Sequence, residues 1–409
     1  MPEYIFYDKI VVATIKDGKI IFDSAGIEKS GMPSSWKPHI ERHLLNALPE
    51  GVRFDSLAVL ASRNGDGAEV DRPIELVPWV DDLPGRFSAG NTSVYPDDGG
   101  FRHYVPFPEL IAEGRVQSRL SAAWLHHQSE IRTKTKPSFS GYQDKFVAKL
   151  SVENGQPVLS IPMPNERGNV IVKPGNPDYP YIAENEYTCM KLAQRLGLNV
   201  PRIFLFRQPD AASEAERHRQ HFLIERFDYA ADSEGNPRKL STTEIASLMD
   251  LSSETKYDTT TDELFSTAQS NLGMEDMRIF ARMYFLGVLV GNGDMHAKNF
   301  SLILDPEDGS YHPAPLYDCV CTSIYGFNDI LALSLRGTNR PKFAAIIDFM
   351  ALFLPVEEMR GMALGVKYNL DSAAELAFDS DNHSMQTARE RLKGAITQRT
   401  ASILKMIGA

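Results

Sequence analysis

Gly291-Asn292-Gly293 runs directly into Asp294-Met295-His296-Ala297-Lys298-Asn299 and then into the strand-like Phe300-Ser301-Leu302-Ile303-Leu304. A carboxylate at 294 can take the proton of an attacking hydroxyl. The Asn299 amide oxygen, further along the same loop, can turn back to hold a hard cation beside phosphates. Leu316-Tyr317-Asp318-Cys319-Val320 supplies a second acid, read as following a strand, where another oxygen ligand for Mg²⁺ is wanted. The chemistry indicated is phosphoryl transfer, which needs mainly positioning and charge neutralisation. Alone, each piece has a plainer reading. Gly291–Asp294 could be a turn, His296 a packed or capping histidine, and Asp318 the cap of a following turn.

Three upstream pieces tip the balance. Ser138-Phe139-Ser140-Gly141-Tyr142-Gln143-Asp144-Lys145 is a polar, glycine-containing loop, and Arg132 to Lys149 holds five basic residues and one acidic one. Its main-chain N–H groups and Lys145 could cradle phosphate oxygens. Lys173 ends the apolar run Asn169–Lys173, which buries its stem and turns its amine to a cleft, where ATP phosphates would lie. Glu186 stands early in the next helix and could pair with Lys173, with Glu184 as its competitor. Glu225-Arg226-Phe227 follows the apolar strand Phe222–Ile224, where a hinge would present main-chain groups to adenine, and Asp228 would sit at the mouth. Loop, lysine, helix glutamate, hinge, base with asparagine, second acid: this is the order of a two-lobed ATP-dependent protein kinase.

The elements that must position these residues form an α+β chain. Asp17-Gly18 between Val11–Ile15 and Lys19–Phe22 predicts a hairpin. Residues 36–49 have helical spacing, and residues 1–125 form an N-terminal α+β subdomain. A β-rich N-lobe with the phosphate loop follows over 126–228, and a helical C-lobe with the catalytic loop over 229–409. Helices are expected over about 183–196 and 274–290, and through most of 340–409. Ser241-Thr242-Thr243-Glu244 fits a capping box ahead of Ile245.

The chain has 409 residues and a formal net charge of −11, which disfavours direct nucleic-acid binding. Cys189, Cys319 and Cys321 give no disulfide framework and read as buried small residues in a reducing compartment. The N-terminus lacks a signal-like apolar stretch, and no apolar run reaches membrane-span length. A soluble cytoplasmic protein is expected.

These motifs, together with Leu331-Ala332-Leu333-Ser334-Leu335-Arg336-Gly337, resemble the HipA family of bacterial toxin kinases over about 135–345. The resemblance implies a serine/threonine kinase of a type II toxin–antitoxin system using ATP and Mg²⁺. Asp294 would be the catalytic base, Lys173, positioned by Glu186, would neutralise charge on ATP, and Asn299 and Asp318 would be the metal ligands. Ser140, Gly141, Gln143, Lys145, Glu225, Phe227, Asp228, His296 and Lys298 would line the ATP site. Ser138 or Ser140 would be autophosphorylated. An aminoacyl-tRNA synthetase is the implied substrate. A small helix-turn-helix antitoxin is the implied partner, with DNA reached only through it. Departures are Tyr142 and Asp144 in the loop, and an acidic, Ser/Thr-rich stretch over Leu240–Tyr257. The rival readings are a small-molecule phosphotransferase and a non-enzymatic nucleotide-binding partner of a DNA-binding protein.

Overall fold

The computed structural model describes residues 3–17, 19–34, 36–46, 145–163, 166–207, 219–231, 237–305, 308–327, 331–379 and 382–408, with short pieces between 74 and 120. Ser138, Ser140, Gly141 and Gln143 lie outside the described residues.

The Lys173 strand is central to a seven-stranded sheet. Its order is Gly114–Arg115, Ile203–Arg207, Gln220–Glu225, Val170–Lys173, Phe146–Glu153, Gln156–Ser160, Gln117–Ser118. Val172 and Lys173 pair antiparallel with Leu223 and Phe222, which fixes the lysine next to strand Gln220–Glu225. Two of these strands come from before residue 125, so main-chain pairing crosses the expected division between the first two units. One face of the sheet buries Val170, Val172, Phe204, Phe206 and Leu223 in a core of its own.

The other face takes helix Ile182–Arg195, whose Ala183, Met190 and Leu192 join the large C-lobe core. In that lobe, helix Met274–Val290 carries Glu275 and Asp276 in its first turn, where they complement the helix dipole. From Met283 to Val290 every residue is buried, which explains a run apolar all round. Helices Phe343–Met350, Val356–Ala377 and His383–Met406 complete the lobe, as the helical pattern of the tail predicts.

The N-terminal hairpin forms as Ile10–Lys16 and Lys19–Phe22, in a four-stranded sheet with Glu3–Tyr7 and Phe87–Gly90. Trp36, Tyr7 and Phe87 pack edge-on or stacked in its core. The helical spacing of 36–49 yields a 3₁₀ turn, Lys37–His39, and a short helix, Ile40–Leu45.

The capping box at Ser241–Glu244 does not form. This segment is a strand paired with Ser301–Leu304, and its main chain is taken by that ladder. The Ile245 amide donates to the Phe300 carbonyl at 2.9 Å, so helix Ile245–Leu248 starts without a side-chain cap. The box stands instead at Thr260 and Glu263, heading helix Thr261–Asn271, where each side chain accepts from the other's main-chain N–H.

Candidate active site

Helix Met274–Val290 ends at Gly291, whose φ of 77° is left-handed, as a helix C-cap turn requires. The chain emerges as a loop stitched to the segment after Leu316. Asn292 Nδ2 donates to the Asp318 carbonyl at 3.2 Å, and its Oδ1 accepts the Asp294 N–H at 3.0 Å. The Gly293 N–H donates to Thr322 Oγ1 at 2.7 Å. These bonds bring Asp294 and Asp318 into one site. The loop then closes on itself, with the Asn299 N–H donating to the His296 carbonyl at 2.9 Å and Asn299 Nδ2 to the Asp294 carbonyl at 2.7 Å. Asn299 spends its amide nitrogen inside the loop and keeps Oδ1 as the ligand atom it can offer.

Asp318 has φ 53°, a left-handed conformation that costs an L-residue energy and marks a constrained position. Its carboxylate contacts the Lys173 ammonium. Lys173 also donates to Glu186 Oε1 at 2.6 Å. Lys173 is 4% exposed and Glu186 1%, so this is a buried charge cluster. Burial lowers the Lys173 pKa, and the Glu186 charge works against that fall. Glu184, the competitor for the lysine, accepts instead from Gln220 Nε2 at 3.1 Å. Helix Ile182–Arg195 is tied to the acid segment by Asn185, which bonds the Cys321 carbonyl and amide at 3.0 and 2.9 Å. Cys189, Cys319 and Cys321 are free and buried, as small packing residues should be.

Lys145 immediately precedes strand Phe146–Glu153, and its charge acts on both Lys173 and His296. His296 is buried, and its pKa is held well below 6.5, first by burial and then by Lys256, Lys298 and Lys145. Lys298 turns its amine to Ser253 Oγ at 2.7 Å, to the Asn46 carbonyl at 3.4 Å and toward Glu244 at 3.8 Å. It ties the loop to the N-terminal subdomain. At the hinge, the Glu225 carboxylate is held by Arg202 through two bonds of 2.9 Å. Asp228 is clasped by Arg226. Phe227 stacks on Tyr317 with ring centroids 5.4 Å apart. The Tyr317 hydroxyl in turn donates to the Lys298 carbonyl at 3.0 Å.

With this arrangement in hand, comparison with known proteins decides the family. A family model described as the HipA-like C-terminal domain matches residues 137–398. The chain belongs to the HipA-like family. A Sinorhizobium fredii protein named "Putative kinase Y4dM" is 30% identical to it over 366 residues, 83% of this chain and 80% of that protein. A Haemophilus influenzae protein with a kinase name of the same kind is 30% identical over 210 residues, 48% of this chain and 57% of that protein. The HipA chain of a Shewanella oneidensis HipA, HipB and operator DNA complex superimposes with a TM-score of 0.71. That likeness spans 99% of this chain and 98% of the other at 18% identity, and it shows the two-lobed HipA fold.

The donor set of this HipA-like chain fits a hard divalent cation. Asn299 Oδ1 and the Asp318 carboxylate would offer hard oxygen donors, and Mg²⁺ takes one or two protein oxygens beside substrate phosphates. Sequence reasoning missed Tyr257, whose hydroxyl donates to Asp294 Oδ1 at 2.8 Å. It also missed Asn292, Thr322 and Asn185, which join the loop, the acid segment and the Glu186 helix. Nothing in their spacing signals these roles, because each acts across the fold.

Proposed function

We propose that this HipA-like chain is an ATP- and Mg²⁺-dependent serine/threonine protein kinase acting as a growth-arresting toxin. The observation that carries this reading is the Lys173 ammonium held between Glu186 and Asp318, on a segment stitched to the Asp294–Asn299 loop.

In the proposed reaction Asp294 orients a protein hydroxyl and accepts its proton as the oxygen bonds to the γ-phosphorus and ADP leaves. Lys173, positioned by Glu186, meets phosphate oxygens. Mg²⁺, when bound by Asn299 and Asp318, would neutralise charge across the phosphates. Main-chain groups around Glu225–Phe227 would receive adenine, since the Glu225 and Asp228 side chains are engaged by arginines. The family supports a translation component, such as an aminoacyl-tRNA synthetase, as substrate. The Shewanella complex of HipA with HipB supports a small DNA-binding antitoxin as partner. A net charge of −11 agrees with DNA contact through that partner alone. Among the described residues no helix is long and apolar enough to cross a membrane.

Autophosphorylation at Ser138 or Ser140 would add about −1.5 to −2 charges to a loop that must lie against ATP phosphates, and so silence the enzyme. Phosphopeptide mapping after incubation with MgATP tests the assignment, and induced expression tests toxicity. Phosphate on serine in the 138–140 stretch, with growth arrest lost in Asp294→Asn, is the expected result. Labelling confined to other residues, both loop serines remaining clean, counts against the loop. Growth arrest undiminished in Asp294→Asn counts against a kinase toxin.

A further inference from the structure

The segment between helices Ile245–Leu248 and Thr261–Asn271 reaches across the front of the catalytic loop. It is pinned along its length. The Ser252 and Thr255 main-chain amides each donate to the other's hydroxyl, at 2.8 and 3.2 Å. The Asp258 amide donates to the Thr255 carbonyl at 2.8 Å. Ser253 receives Lys298, and Thr260 is fixed by the capping box. Between these anchors Lys256 is buried at 2% exposure, with its ammonium 5.6 Å from the centre of the Tyr257 ring. The Tyr257 ring meets His296 edge-on, with centroids 5.2 Å apart at 84°. Its hydroxyl reaches Asp294 Oδ1 at 2.8 Å.

We infer that Tyr257 is a positioning residue for the base, setting the Asp294 carboxylate through a hydrogen bond and a ring packed on the catalytic loop. This inference rests on the kinase reading of the site. A carboxylate has two oxygens and about four acceptor positions, so one oxygen can take the phenol while the other takes the acceptor hydroxyl. Loss of the phenol removes a hydrogen bond that fixes the orientation of the carboxylate, and proton acceptance loses alignment. The many anchors of the segment favour a fixed brace over a plug that leaves when substrate arrives. Tyr257 acts on the chemical step alone, because the phosphate groups are held elsewhere by Lys173.

The test compares Tyr257→Phe with wild type and Asp294→Asn in full-length protein. Initial rates of radiolabel transfer from MgATP, to the chain itself and to casein as a generic acceptor, give kcat and the KM for ATP. Thermal melting is measured in parallel. Tyr257→Phe is expected to lose about tenfold or more in kcat, with KM for ATP within about twofold and the melting temperature unchanged, as misalignment of a base by a fraction of an ångström should do. A kcat equal to wild type overturns the inference. So does a loss that comes with raised KM and early melting, which marks a structural role only. A folded wild type that transfers no phosphate to any acceptor brings down the kinase reading, and this inference with it. Activity in wild type that Asp294→Asn leaves intact brings down the base assignment instead.

Discussion

The side-chain amide of Asn299 donates to the main-chain oxygen of Asp294 at 2.7 Å, so the proposed base and the proposed cation ligand belong to one closed turn. Asn299→Ala removes the ligand oxygen and opens the turn together. Phosphoryl transfer should fall about 100-fold or more, and the Mg²⁺ concentration for half activity should rise, since metal binding and base placement are both affected. A Mg²⁺ titration of transfer rate checks this, and an unchanged midpoint would contradict the ligand role. Chelation with EDTA should abolish transfer in wild type, and added Mg²⁺ should restore it.

Lys173 and Glu186 form a buried pair, and the two partners should respond differently to mutation. Lys173→Met leaves a carboxylate that is 1% exposed without its ammonium, and removal of one partner of such a pair costs about 3–5 kcal/mol. Glu186→Gln leaves Lys173 its contact with Asp318 and should cost less. Urea unfolding of both variants measures the difference. Equal stability of Lys173→Met and wild type would show that the pair is not buried as described.

Two buried histidines set a pH dependence of stability. Burial pushes the pKa of His43 and of His221 from 6.5 down to about 3. Between those limits the unfolded chain binds more protons than the folded one. Stability therefore rises with pH in that window and is lost as acid is added. The loss is about 1.4 kcal/mol per histidine for each pH unit below the unfolded pKa. Urea midpoints at about pH 7 and about pH 5.5 should show it, and His221→Gln should remove part of the slope. A midpoint that does not fall on acidification would contradict neutral burial.

Much of this architecture is legible in sequence where one segment carries the signal by itself. Helix Met274–Val290 and strand Val170–Lys173 follow from apolar periodicity and end at Gly291 and Pro174. The pairing of Lys173 with Glu186 follows from strand, helix and chemistry, although only the fold separates Glu186 from Glu184. Contacts across the chain are not legible. Tyr257 meets Asp294, Asn46 meets Lys298 and Asn185 meets Cys321 through tertiary packing that no local spacing encodes. Ser241–Glu244 shows the opposite failure. A good local capping pattern lost to a strand ladder with Ser301–Leu304, because pairing satisfies more main-chain groups than one cap does.

Glu225 offers a selective prediction at the hinge. Its carboxylate faces Arg202, so Glu225→Gln should change ATP affinity less than about twofold and cost about 1 kcal/mol or less, the scale of a partly exposed ion pair. Calorimetric ATP titration decides it. A large loss of affinity would mean that the side chain itself reaches the nucleotide.

The central claim is that Asp294 accepts the proton in phosphoryl transfer from ATP. The most direct measurement is single-turnover transfer of radiolabelled phosphate by wild type and Asp294→Asn, with ATP binding measured on the same samples. The account predicts transfer slowed about 100- to 10,000-fold in the variant, the range for loss of a general base, with ATP binding retained. Transfer at the wild-type rate by an Asp294→Asn protein that binds ATP normally would contradict it.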